Sequence, residues 1–167
     1  MAEWTSAAIG FAGSIIGAVS ASGVAWLSWR HSEKVRKSQI RLEKLERLYE
    51  ALEKMHQYYI EMHCVMSGHL AIGTEIELPK AKVPVSEMRM LAGIYAKEVE
   101  AQVFDALSMI TEYGDFLVDA ASLKFAPENN AKRKALLEKS VELSERLQRV
   151  MHVAMDATAN LAQREMS

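Results

Sequence analysis

Glu53 and His56 form an ExxH pair, the spacing that supplies one half of a carboxylate di-iron site because both side chains leave the same helical face. A complete site needs a second ExxH on another helix, and the sequence has none. His56 and His63 lie seven apart, with Tyr59 between them and Met62, Cys64, Met66 and His69 close by. Imidazole, thiol and thioether together suit a soft transition metal. The same spacing also describes an ordinary amphipathic stripe with hydrogen-bonded histidines. We take the stripe as the expectation, with no metal and no cofactor. Cys64 is the single cysteine, so there is neither a disulfide nor a CxxC pair, which fits a reducing compartment. A Gly-rich phosphate loop, HExxH and GxSxG are all missing.

The remaining candidate is Arg146-Leu-Gln-Arg-Val-Met-His152. It resembles the motif of HEPN ribonucleases, in which an Arg is followed by a His after four to six residues. The chain as a whole is similar to the small membrane accessory proteins of type VI-B CRISPR systems, which have one N-terminal membrane helix and then a helical domain with a divergent motif of this sort. That resemblance implies a homo-oligomeric membrane pore that strengthens phage defence, and it carries over Arg146 and His152 as the motif Arg and His. In RNA cleavage such a His acts as general base or acid and the Arg stabilises charge on the phosphate. Leu147 stands where an active member usually has a polar residue. On a straight helix six positions turn through about 600°, leaving Arg146 and His152 on different faces, whereas Arg149 and His152 share one. No catalytic residue is therefore assigned, and Arg146 and His152 stay as candidates only.

The elements that would position these groups are helices. Pro is scarce, aromatics are 7% of the chain, and half of its residues are apolar, which is enough for a core. The length of 167 residues allows one domain plus an anchor. A net charge of -2 implies no nucleic-acid partner.

The anchor is read over residues 1–29. Between Glu3 and Arg30 lie 26 residues without a charge, about 39 Å of helix against a hydrocarbon thickness of about 30 Å. A cleaved signal peptide would need a basic start and a shorter run. A buried helix of a soluble protein is the other alternative, since the segment is rich in Ala, Gly and Ser. Trp4, Trp26 and Trp29 sit where interfacial anchors belong, and Arg30, Lys34, Arg36 and Lys37 on the C-terminal flank put the N-terminus outside and the rest in the cytoplasm, at the inner membrane. Ser6, Gly10, Gly13, Gly17 and Ser20 are spaced 4, 3, 4, 3 and form one seam for close helix packing. Ile9, Ala12, Ile16 and Val19 face lipid. The expected partners are thus another copy of the chain, the bilayer and a cytoplasmic protein.

Residues 30–167 are read as a cytoplasmic helical-bundle domain. The expected fold is all-α: one transmembrane helix, then an antiparallel up-down-up bundle of about three long helices. The first runs from Arg30 to about Ser67 on a stripe of Leu42, Leu45, Tyr49, Leu52, His56, Tyr59, His63 and Met66, with Gly68 as its stop. A long loop over 67–85 follows. Ser86 caps the second helix, whose stripe is Met88, Leu91, Tyr95, Val99, Val103, Ala106, Ile110, Tyr113 and Leu117; Gly114 is a kink point and Pro127 the end. The third opens at Glu128 to Asn130 and buries Leu136, Leu143, Leu147, Val150, Ala154 and Leu161. Glu98, Asp105, Glu112 and Asp119 recur every seven residues, as do Lys132, Lys139 and Arg146. These stripes either pair across antiparallel helices or are solvated faces. Three functions fit: a pore-forming or membrane-perturbing effector in bacterial or phage conflict, a membrane adaptor that binds a cytoplasmic partner, or a membrane-tethered ribonuclease.

Overall fold

The computed structural model describes the backbone of residues 2–77, 83–123 and 125–166, and within those ranges the side chains from residue 25 onward. Every regular element among them is helical. In chain order these are α1 (Ala2–Ile72), α2 (Val85–Tyr95), a 3-10 turn over Lys97–Val99, α3 (Glu100–Ala121), a second 3-10 turn over Pro127–Asn129, and α4 (Asn130–Met166). The chain divides into two compact units, Met1–Arg41 and Leu42–Ser167.

The first unit is the leading part of α1. All side chains from Ala25 to Ser32 are exposed, with Trp26 and Trp29 at 53% and 62%. Among the described residues no helix is long and apolar enough to cross a membrane. Most of the anchor expected over 1–29, and the whole seam of Ser6, Gly10, Gly13, Gly17 and Ser20, lie outside the described side chains.

The second unit is a helical bundle. Its α1 stripe buries Leu45, Leu52, Tyr59 and Met66, with Leu42, Tyr49, His56 and His63 half-buried, as the 3–4 spacing predicts. The stripe is wider than expected, because Leu48, Ala51, Met55 and Met62 are buried as well. The reason is that α1 has neighbours on two flanks. On one flank His63 lies against Tyr113 of α3 and Gly73 against Phe125 just beyond it. On the other, His56 meets His152, His63 meets Ser140 and the carbonyl of Leu70 meets Arg133, so residue numbers on α4 fall as those on α1 rise. Thus α3 runs parallel to α1, and α4 runs antiparallel to both.

That topology corrects the up-down-up expectation. Parallel neighbours need a connection that returns along the bundle. Arg47 pairs with Glu87 at the start of α2, while α1 continues to Ile72. Its rise over that stretch is about 37 Å. The twelve positions between Ile72 and Val85 can reach about 40 Å, enough to bridge that distance.

Several boundaries also differ. Gly68 does not stop α1; the helix passes through it and ends at Ile72, where Gly73 takes φ 76° and its N–H bonds the His69 carbonyl. Ser86 does not cap α2, which begins at Val85 after Pro84 without a side-chain cap. The expected second long helix is two helices, broken at Ala96 (φ -133°, ψ 43°). Ala92 and Ala96 are completely buried at that break. Gly114 lies inside α3 without interrupting it, and Pro127 opens the turn before α4.

Two glycines give opposite expectations. A Cβ at Gly73 would sit 2.7 Å from the Phe125 ring and hold an L-residue at positive φ. Gly73→Ala should therefore destabilise the protein by about 1–3 kcal/mol. At Gly114 a Cβ meets nothing within 4 Å, so Gly114→Ala should stabilise by about 0.5–1 kcal/mol through helix propensity. Denaturant midpoints of the full chain in detergent would test both, and a stabilising Gly73→Ala would contradict the described turn.

Candidate functional site

Polar groups collect along the contact of α1 with α3 and α4. His63 projects from α1 toward Ser140, which is fully buried on α4, and Tyr113, fully buried on α3. Its Nδ1 is 3.2 Å from Ser140 Oγ and 3.4 Å from Tyr113 Oη, and its Nε2 is 3.5 Å from Ser67 Oγ. Ser67 and Ser140 are 3.5 Å apart. In one proton arrangement Nε2–H donates to Ser67, Ser67 to Ser140 and Ser140 to Nδ1, with the Tyr113 hydroxyl sharing that single Nδ1 lone pair at longer range. This requires a neutral imidazole. The contacts are long, so they matter as satisfaction of buried groups more than as strong bonds.

A serine beside a histidine is the pattern of nucleophilic catalysis, but here it lacks the other parts. Ser140 has no exposed surface, and no carboxylate among the described residues bonds His63. Tyr59 and Tyr113 stack edge-on at 5.5 Å beside it. Burial raises both phenols, Tyr59 to about 12, so they remain protonated donors. The cluster is a structural tie among three helices.

About two turns back along α1, His56 lies against His152 of α4, edge to face at 5.1 Å. Its Nε2 is buried without a hydrogen-bond partner. Burial first, and then the charge of His152, hold His56 below the ordinary imidazole value; burial does the same to His63. Glu53, the other member of the ExxH pair, is exposed. His69 bonds the Thr74 carbonyl at 2.8 Å, and Cys64 is an exposed free thiol. Among the described residues no three His, Cys, Asp or Glu side chains gather as a metal would require. His56 and His152 together offer two ligand positions at most.

The two motif residues diverge. Arg146 makes a forked bond to Glu112 of α3, at 3.0 and 3.3 Å. His152 turns instead to α1. The 600° of rotation between them leaves a residual angle of about 120°, so they occupy opposite borders of the buried face of α4. Arg149, which shares a face with His152 in the sequence reading, lines a cleft of about 150 Å³ with Gln102, Asp105, Val150 and Val153. The Arg146–Glu112 bond also shows one contact between the acidic and basic stripes, made within the chain.

Two features escaped the sequence reading. Ser140 and Thr158 interrupt the apolar stripe of α4, and a hydroxyl at a core position was the available signal for a buried network. A groove of about 400 Å³ lies between α1 and the end of α4, lined by residues that include Leu45, Tyr49, Ala159 and Ala162, with Glu46 and Glu50 on its border. Nothing in the local sequence marks it, because its lining comes from two helices far apart in the chain.

Two expectations follow. The unfolded chain takes up protons at His56 and His63 before the folded chain does, because both folded values lie below 6.5. Their stabilising contribution is complete above pH about 6.5 and is lost as pH falls toward the folded values. The thermal midpoint should decline between neutrality and mild acid, and the decline should flatten in His56→Gln/His63→Gln; an unchanged slope would remove these histidines as its cause. Arg146→Ala should cost no more than about 1 kcal/mol, since both partners of its ion pair are nearly half exposed. No protein-family model matches the chain, and no curated protein or solved structure matches it, so its function has to be argued from its own residues.

Proposed function

We propose that the chain is a membrane-anchored, self-associating helical protein that acts as a pore-forming or membrane-perturbing effector in bacterial or phage conflict. The observation that carries this reading is the 26-residue uncharged run ending in Trp26 and Trp29, followed at once by Arg30, Lys34, Arg36 and Lys37. Its two closing indoles and Leu27 are more than half exposed, a costly arrangement in water and a natural one at a bilayer interface. The basic flank supports a cytoplasmic bundle, by the positive-inside bias. The seam of Ser6, Gly10, Gly13, Gly17 and Ser20 supports self-association, because backbones can approach closely along it. Serines on an axis shared by several copies would give a pore a wet lining. The resemblance to type VI-B accessory proteins supports a role in defence.

The α1–α4 groove favours a second reading, a membrane adaptor that holds a cytoplasmic partner against Leu45, Tyr49, Ala159 and Ala162. The ribonuclease reading gains no such support, since Arg146 and His152 are committed to different helices.

Substitutions in the seam separate the first two readings. Gly13→Leu or Gly17→Leu should dissociate the oligomer while leaving the protein in the membrane, because Leu is more lipid-soluble than Gly but too bulky for close approach. Ile9→Leu and Ile16→Leu should do little. Ion leakage and toxicity on overexpression should disappear together with assembly. Leakage from a monomeric Gly17→Leu variant would defeat the pore, and a wild-type protein that is monomeric in detergent would favour the adaptor.

A further inference from the structure

Just beyond the uncharged run, α1 carries Trp26, Trp29, Arg30, Glu33, Arg36 and Lys37. Their spacing of 3, 1, 3, 3 and 1 places all six within about 120° of the helix circumference. One narrow face therefore holds both indoles and three cations, with Lys34 on its border. The Arg30 guanidinium lies 5.1 Å from the centre of the Trp26 ring. Glu33 is held by Lys37 at 2.8 Å, and that bond and charge keep its carboxyl below the usual range. Four cations against this single carboxylate leave a surplus of three positive charges between Arg30 and Lys37. Trp29, Ser32, Glu33 and Arg36 line a shallow cavity of about 310 Å³ that offers an indole, a hydroxyl and a guanidinium, with the Lys37-paired carboxylate of Glu33 on its wall.

We propose that this face binds the headgroups of anionic phospholipids. The proposal rests on the membrane-anchored reading and adds to it the lipid class. Indoles settle at headgroup depth, where ring and N–H are each in a suitable medium. Cations on the same face meet the phosphates at that depth, and a basic cluster beside a membrane segment draws acidic lipid electrostatically. Guanidinium groups add forked bonds to phosphate oxygens. A zwitterionic lipid gives no net charge for the surplus to neutralise. A second copy of the chain would bring the same three charges and be repelled.

The full-length protein carrying Trp4→Phe, so that emission comes from Trp26 and Trp29, would be reconstituted in phosphatidylcholine vesicles. A minority of either brominated phosphatidylglycerol or brominated phosphatidylcholine would serve as contact quencher. Each basic side chain is worth about fivefold in surface attraction before screening, so the anionic quencher should appear enriched about tenfold around the indoles. Arg30→Gln/Lys34→Gln/Arg36→Gln, or high salt with the unchanged face, should bring the two quenchers within about twofold of each other. Equal quenching without those changes, or enrichment that survives both, would overturn the proposal. Protein that floats with vesicles while its indoles are shielded from both lipids would show a protein-covered face and would also overturn it, leaving the anchor intact. Failure to float with any vesicle would instead overturn the membrane-anchored reading.

Discussion

The end of α1 is a junction of three elements. Gly73 turns the chain at positive φ, and its bare Cα lets the Phe125 ring approach more closely than any side chain would permit. Arg133 of α4 stacks on that ring at 3.7 Å and donates to the carbonyls of Leu70 and Ala71, at 2.9 and 3.1 Å. A helix end leaves its last carbonyls without intrahelical donors, and a cation there is favoured by the helix dipole as well. One arginine thus satisfies the end of α1 and pins it to α4 and to Phe125 in the connection that precedes α4. With that end fixed, the register of every contact further along α1 follows: His63 falls opposite Tyr113 and Ser140, and His56 opposite His152.

Within that register the polar groups have little freedom. A buried hydroxyl without a partner costs more than a made bond gains, so Ser67, Ser140, Tyr113 and His63 are held as a set. A slip of α4 by one turn would carry Ser140 away from His63 and Ser67 and leave its hydroxyl in an apolar core. The network therefore specifies alignment among helices whose aliphatic faces would otherwise slide. Burial in the same seam holds both His56 and His63 below the ordinary imidazole value.

Chemistry is hard to place in the bundle. Arg146 is bound to Glu112 of α3, His152 lies against His56 of α1, and Ser140 is sealed from solvent. Groups with catalytic potential serve as ties. The exposed features are of another kind: an aromatic and basic face on the leading unit, and an apolar groove in the bundle. Both suit contact with a surface or a partner better than turnover of a substrate, which is why the proposed role is one of membrane and partner binding.

The helical class and the buried faces were legible in the residues, since period 3.6 in Leu45, Leu52, Tyr59, Val103, Tyr113, Leu143 and Leu147 is a local property that any partner must respect. The divergence of Arg146 and His152 was legible too, because helical rotation alone separates them. Topology was not. Whether α3 runs with or against α1 depends on which faces fit, and the same stripes serve either direction. The break at Ala96 has only Gly93, inside the last turn of α2, to announce it; it forms where buried alanines pack, an energy that belongs to tertiary contact. Gly68 was the expected end of α1, and only Phe125 and Arg133, some fifty to sixty residues beyond Gly73, decided for Gly73 instead. Local sequence determined what each segment buries, whereas tertiary contacts decided where each segment stops and which neighbour it meets.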